Sequence, residues 1–175
     1  MSHYRQIELE LDHRFDPFSR RHFLNGFQSV LHCHHYSTLY TQLAIDAQET
    51  DLLREVAEDA FVDMLSAYFE DYDITETEER IQIAEQYFAA VGLGKMEVVY
   101  LGDDSGKVVL HRAHVDEGWI KKWGKFDRPV NYIAAGYVAA MFAAVNEKAP
   151  RSYKVTEVES LVMGAPKSVF NVVQK

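Results

Sequence analysis

Between Gln6 and His13 apolar and polar residues alternate, with Ile7, Leu9 and Leu11 set against Glu8, Glu10 and Asp12. A period of two predicts a half-buried strand with a polar outer face. Asp16-Pro17 closes it, because the residue before a proline avoids the helical region. The spacing then lengthens. Phe23, Phe27, Val30, Leu31, Leu39, Leu43 and Ile45 recur at intervals that fit one face of a helix from about Ser19 to Ala47, with Ser19 as its cap. Gly26 inside that helix costs about 1 kcal/mol relative to alanine. A glycine kept there suggests the close approach of another backbone or of a ligand.

The helical period continues in Leu52, Leu53, Val56, Ala60, Met64, Leu65, Tyr68 and Phe69, which predicts a second helix from Asp51 to about Asp71. Thr75 and Glu78 form a capping-box pattern ahead of Ile81, Ala84, Tyr87, Phe88 and Val91, and Gly92-Leu93-Gly94 ends this third helix. The character then changes. Residues 96–101 and 107–115 are rich in strand formers and are joined by Gly102-Asp103-Asp104-Ser105-Gly106, a turn-rich loop. Trp119 and Trp123 follow, four apart and able to share a helical face. Asn131 caps an alanine-rich helix over 133–146, and Pro150 follows its end. Residues 153–163 and 168–173 form a last hairpin around Gly164-Ala165-Pro166-Lys167. Strands gathered in hairpins and helices in blocks predict an α+β fold, with an antiparallel sheet packed against an N-terminal helical block and the alanine-rich helix. One domain spans 1–175, its N-terminal strand and helices over 1–74. No βαβ alternation and no phosphate-binding glycine loop is present.

Composition narrows the function. A net charge of -9 argues against nucleic-acid binding. Residues 1–90 carry 6 Lys and Arg against 18 Asp and Glu, while residues 91–175 carry 12 against 9, so the two halves present differently charged faces. No apolar run is long enough to span a membrane, and no signal peptide opens the chain. A single cysteine points to a reducing, cytoplasmic setting.

His32-Cys33-His34-His35 concentrates three of eight histidines and the one cysteine in four residues. On a continuous helix His32 and His35 share a face, while Cys33 and His34 point elsewhere. Two histidines at this spacing make half of a site for Zn or Fe, with His111, His114, Glu157 and Glu159 as the candidates for the remaining ligands. The alternative is a buried, hydrogen-bonded histidine beside a pocket, with Phe27, His32, Tyr36, Trp119 and Trp123 as its walls.

The C-terminal hairpin adds a resemblance. The frame Glu157-Val158-Glu159-Ser160, then Gly164, Ser168 and Phe170, is similar to that of the 4-vinyl reductase family, whose last hairpin reads Glu-x-x-Cys, a glycine before a turn, a second Cys eight positions after the first, then x-Phe. The alanine-rich helix with Gly136 and the preceding hairpin also fit, so the likeness covers 75–173. It implies a domain that binds apolar or aromatic molecules. In zinc-binding members the two cysteines are ligands, and both are serine here, which implies that this zinc site is lost. The same broad fold includes vesicle-tethering subunits, some of which carry a lipid on a cysteine.

The leading expectation is therefore a soluble sensor or carrier for an apolar or aromatic small molecule. Its pocket lies between the first helices and the sheet, with His32 or His35 as the polar contact. A metal-dependent enzyme or sensor and a plain interaction module remain open beside it. Domains of this build commonly pair, so a homodimer is expected.

Overall fold

In the computed structural model, which describes residues 6–30 and 32–175, the second half of the chain supplies the main sheet and the first half covers it. Strands β4 (Gly94–Leu101), β5 (Ser105–Ala113), β6 (Tyr153–Glu159) and β7 (Ser168–Gln174) form one antiparallel sheet in the order β4-β5-β7-β6. Three helices precede it, α1 (His34–Ala47), α2 (Thr50–Asp71) and α3 (Thr77–Ala90). Helix α4 (His114–Trp123) continues directly from β5, and α5 (Tyr132–Val145) joins it to β6. This is the α+β architecture read from the sequence.

Helix α5 is the centre of the molecule. Its residues from Ala134 to Val145 are all buried, as expected for a helix apolar on every side. It lies between α2 and the sheet. Gly136 faces the backbone of Arg54 and the side chain of Ala57 on α2, and the Phe142 ring lies over Gly106 of β5. The main core gathers Leu65, Ile83, Tyr87 and Phe88 from α2 and α3, Tyr137 and Phe142 from α5, and Val108, Leu110 and Phe170 from the sheet.

The N-terminal region departs from expectation. Residues 19–29 are not helical. A three-stranded antiparallel meander forms instead, from β1 (His13–Asp16), β2 (Arg21–Leu24) and β3 (Phe27–Ser29). Leu24 pairs with Phe27 across Asn25 and Gly26, whose φ angles are 44° and 84°. Two consecutive positive φ values make the two-residue turn for which Asn-Gly is the favoured sequence. Gly26 thus answers to turn geometry rather than to a close neighbour, since a Cβ there meets nothing within 4 Å. Ser19 caps no helix; its hydroxyl donates to Asp16 in the β1–β2 turn.

Residues 6–10 alternate in burial as predicted, but Leu11 is exposed and residues 6–12 join no sheet. Their partners are side chains. Ile7 N–H donates to Gln82 Oε1 (3.2 Å), Leu9 N–H to Gln86 Oε1 (3.0 Å) and Glu10 N–H to Tyr68 Oη (2.8 Å), while Gln86 Nε2 donates to Ile7 O (2.9 Å). Ile7 and Leu9 pack against the main core. At the start of α3 the cap is Glu76, without a side-chain hydrogen bond, so the box from Thr75 to Glu78 does not form. Among the described residues no helix is long and apolar enough to cross a membrane.

Candidate functional site

A second, smaller core lies where α1, α4 and the turn after β6 meet. Val115 and Trp119 are four apart on α4 and both buried, and they gather Val130 and Val162, with Ile45 of α1 and Phe126 packed around them. The Trp119 ring lies 4.6 Å from Trp123 and 4.9 Å from Phe126. Phe126 N–H donates to Val162 O, which fastens the loop after α4 to the hairpin turn. Gly118 brings α1 close, because a Cβ there would lie 2.8 Å from both His34 Cβ and Thr38 Cγ2. Two polar atoms at this junction are buried without a partner, Trp119 Nε1 and His34 Nε2. An unpaired buried donor or acceptor costs about 1–3 kcal/mol.

The histidine-rich stretch is arranged differently from a continuous helix. Helix α1 begins at His34 with Cys33 as its cap, so His32 precedes the helix and does not share a face with His35. The His32 ring lies tilted against those of Tyr36 (6.1 Å) and Tyr40 (5.9 Å). His34 lies 4.1 Å from the His35 ring and 6.2 Å from the His114 ring, and Cys33 Sγ is 3.7 Å from His35 Nδ1. His34, which the helical argument had pointing away, is the histidine against α4. Burial, with His35, Lys121 and His114 nearby, lowers its pKa and favours the neutral imidazole. His114 opens α4 rather than lying on a strand, and His111 of β5 pairs with Glu97. Among the described residues no group of three or more His, Cys, Asp or Glu side chains could hold a metal ion. His32, His35, His114 and Glu157 are therefore not gathered into one coordination sphere.

The five expected ligand contacts divide in the same way. Phe27 is half-buried on β3, His32 and Tyr36 are exposed at the start of α1, Trp119 is buried on α4, and Trp123 is partly exposed beside it. Of these, Trp119 and Trp123 share the second core.

Beside that core is a polar cluster that draws on four elements. Asp116 of α4, Asn131 ahead of α5, Ser160 after β6 and Ser168 of β7 are all buried, and Glu157 of β6 is largely so. Asn131 Nδ2 donates to Asp116 Oδ2 (2.6 Å) and Glu157 Oε1 (3.0 Å). The Ser168 hydroxyl donates to Asp116 Oδ2 (2.9 Å) and accepts the Leu161 N–H (3.1 Å). Burial and then the Asp116 charge push the Glu157 carboxyl up to about 7, against the Asn131 hydrogen bond and the nearby Ser160 and Ser168 hydroxyls, which act to lower it. Burial likewise raises Asp116. A cleft of about 290 Å³ between α2, α5 and β6 leads inward to Asn131 and Glu157, past Arg54, Tyr132 and Lys154.

Asn131 was readable as a helix cap, but its amide is engaged in this cluster instead. Asp116 carries no local sequence signal, because its partners Asn131 and Ser168 lie far along the chain. The zinc that the family resemblance ties to positions 160 and 168 does not fit these residues. The cluster has neither thiolate nor imidazole, and a serine hydroxyl stays protonated near neutral pH.

Comparison with known proteins places the likeness in the fold. No family model and no curated protein matches the sequence. The phenol-responsive sensory domain of the transcription activator PoxR, crystallised with phenol, superposes with a TM-score of 0.77 at 12% identity, over 93% of this chain and 84% of that one. A vinyl-4-reductase family protein from Methanocaldococcus jannaschii matches with a TM-score of 0.56 at 19% identity, over 84% of each chain. The chain has a vinyl-4-reductase fold. A third match covers somewhat less of this chain. It is a trafficking protein particle complex subunit 3 from Naegleria fowleri covalently bound to palmitic acid, with a TM-score of 0.54 at 12% identity, over 81% of this chain and 91% of that one. The resemblance read from the last hairpin is borne out at the level of the fold.

Proposed function

We propose that this chain is a binding domain, a sensor or carrier, for an apolar or aromatic small molecule that carries one hydrogen-bonding group. The observation behind this reading is the buried, unpartnered indole N–H of Trp119 inside an apolar cluster, in a fold shared with a phenol-responsive domain. The ligand enters between α1 and α4, its ring against Trp119 and Phe126, and its polar group meets Trp119 Nε1 or His34 Nε2. Small-molecule sites of this kind are mostly apolar with a few placed polar groups. Thermal unfolding with phenol and with toluene tests it. At about 100 times Kd, binding adds about 2.7 kcal/mol, which raises Tm by about 5–10 °C for a chain of this size. Trp119→Phe should abolish the shift with phenol and keep that with toluene. No shift with either, in wild-type protein shown by native mass spectrometry to be free of co-purified ligand, overturns the reading.

The domain acts as a homodimer in a cytoplasmic setting. Tyr36, Leu39, Tyr40 and Leu43 form an exposed apolar stripe along α1 at helical spacing, which suits pairing with a second copy. Light scattering on Leu39→Glu/Leu43→Glu protein should read a monomer where wild type reads a dimer, and a monomeric wild type would exclude the pairing.

A further inference from the structure

The polar cluster beside the second core holds two carboxylates and no counter-charge. Neither Asp116 nor Glu157 has a cationic partner among the described residues, and the strongest charge acting on Glu157 is that of Asp116. Three oxygens in the same cluster are also unpaired. Asp116 Oδ1, Asn131 Oδ1 and Ser160 Oγ are buried without a hydrogen-bond partner, although Ser160 faces the Glu157 carboxyl closely enough to lower its pKa. Asp116, Asn131 and Ser160 are each no more than 2% exposed. Buried polar atoms are rarely left unsatisfied, and one that is calls for an explanation such as an ion.

We propose that Asp116, Asn131, Glu157, Ser160 and Ser168 form a binding site for a hard divalent cation of the Mg²⁺, Ca²⁺ or Mn²⁺ class. The donor set is oxygen throughout: two carboxylates, one amide and two hydroxyls. Such a set suits those ions, whereas zinc sites draw mainly on nitrogen and sulfur. Two negative charges match a divalent ion. In the fold as described, Asn131 Nδ2 stands between the two carboxylates and donates to both. Turning this amide end over presents Asn131 Oδ1 to the same place with almost no change of shape. The unpaired oxygens then gain a partner and the carboxylates a counter-charge. The cleft of about 290 Å³ that reaches Asn131 and Glu157 supplies an entry path and room for water ligands.

The cation ties α4, the start of α5, β6 and β7 together, so it stabilises the fold and does not depend on any aromatic ligand. The test uses the full chain stripped with chelator. Bound Tb³⁺ should luminesce on ultraviolet excitation, because Trp119 lies one helical turn from Asp116, and Ca²⁺ or Mg²⁺ should quench that signal by competition. The same ions should raise Tm, and Mn²⁺ should titrate to one site by electron paramagnetic resonance. Asp116→Asn and Glu157→Gln remove a buried charge at constant shape, so both variants should fold and melt no lower than the stripped wild type. Each should bind Mn²⁺ more than about 100-fold more weakly. Absence of Tb³⁺ and Mn²⁺ binding at millimolar concentration, with a Tm indifferent to Ca²⁺ and Mg²⁺, overturns the proposal and leaves the carboxylate pair held by a proton. A shift that survives unchanged in both variants overturns it equally, since the ion then sits elsewhere.

Discussion

Replacing Gly136 with alanine sets two effects of known size against each other. A methyl group at this position of α5 would stand 2.4 Å from Arg54 O, 2.7 Å from Ala57 Cβ and 3.0 Å from Glu58 N. Ordinary contact starts near 3.4 Å, so α2 and α5 must part by about 1 Å. The nearest atom is backbone, and no rotamer change relieves it. Parting packed surfaces by 0.5–1 Å forfeits about a quarter to a half of each dispersion contact, and overpacking of a core costs about 1–3 kcal/mol. Those losses fall on the main core, including the Phe61–Tyr137 ring pair at 4.7 Å. In the other direction, alanine in a helix is favoured over glycine by about 1 kcal/mol. The clash prevails because the whole helix pair must move to relieve it. The expected net loss is about 2 kcal/mol, or about 4–8 °C in Tm for a chain of this length. Urea unfolding followed by far-UV circular dichroism measures it. A Gly136→Ala protein as stable as wild type, or more so, refutes the close helix approach, since that is the behaviour of a glycine with open space beside it.

Other consequences concern polar groups inside the core. Tyr137 donates its hydroxyl to Ala84 O (2.6 Å), whereas the Tyr87 hydroxyl is buried with no partner. Tyr137→Phe should lose about 1 kcal/mol and Tyr87→Phe should lose nothing or gain; a reversed order in urea titrations would contradict the assignment. Burial pushes the Tyr87 phenol up to about 12. Between the ordinary value of 10 and that value the unfolded chain releases a proton that the folded one keeps. Stability should therefore be unaffected by this group below pH 10 and fall by about 3 kcal/mol as pH rises to 12. Ultraviolet tyrosinate absorbance should show Tyr87 ionising only as the protein unfolds, and Tyr87→Phe should flatten that slope. Arg151 holds the buried carboxylate of Glu58 (3.3 Å) and the exposed one of Asp59 (2.8 Å). Arg151→Ala should cost about 2 kcal/mol, below the range for a fully buried pair, because the Arg151 backbone N–H still donates to Glu58. Asp59→Asn should cost under about 1 kcal/mol; equal losses in urea would show that burial of Glu58 does not matter.

The parts of the fold that were legible in the sequence are those whose signal is local and long. Helices α2 and α5 begin and end within about a residue of the positions their apolar spacing predicts, and the hairpin loops lie where glycine, aspartate and proline cluster. The meander was misread because Phe23, Phe27 and Leu31 fall four apart. Phe23 and Phe27 come from two strands folded back at Asn25-Gly26, and that coincidence imitates a helical face. The dipeptide carried the correct signal. In the candidate site, Trp119 was readable from its four-residue spacing to Trp123. The histidine geometry was not, because it depended on the first residue of α1. Helix ends are where a sequence pattern is least definite. Asp116 was invisible for a different reason. Its burial is created by Asn131 and Ser168, 15 and 52 residues further on, and no local window contains them.

The attachment of residues 7–9 to α3 has a consequence of its own. Gln82 and Gln86 lie four apart on the helix and receive the N–H groups of Ile7 and Leu9, two apart on an extended chain. Four helical residues rise about 6.0 Å, and two extended residues span about 6.6 Å. The side of a helix thus imitates the edge of a sheet, reading every second backbone group by way of side-chain amides. These contacts are between neutral groups, so added salt leaves them in place. Nor does the match specify which molecule the extended segment comes from. The same face of α3 would accept residues 7–9 of another copy on equal terms, so trading of that segment between chains depends on concentration and linker reach rather than on any new complementarity.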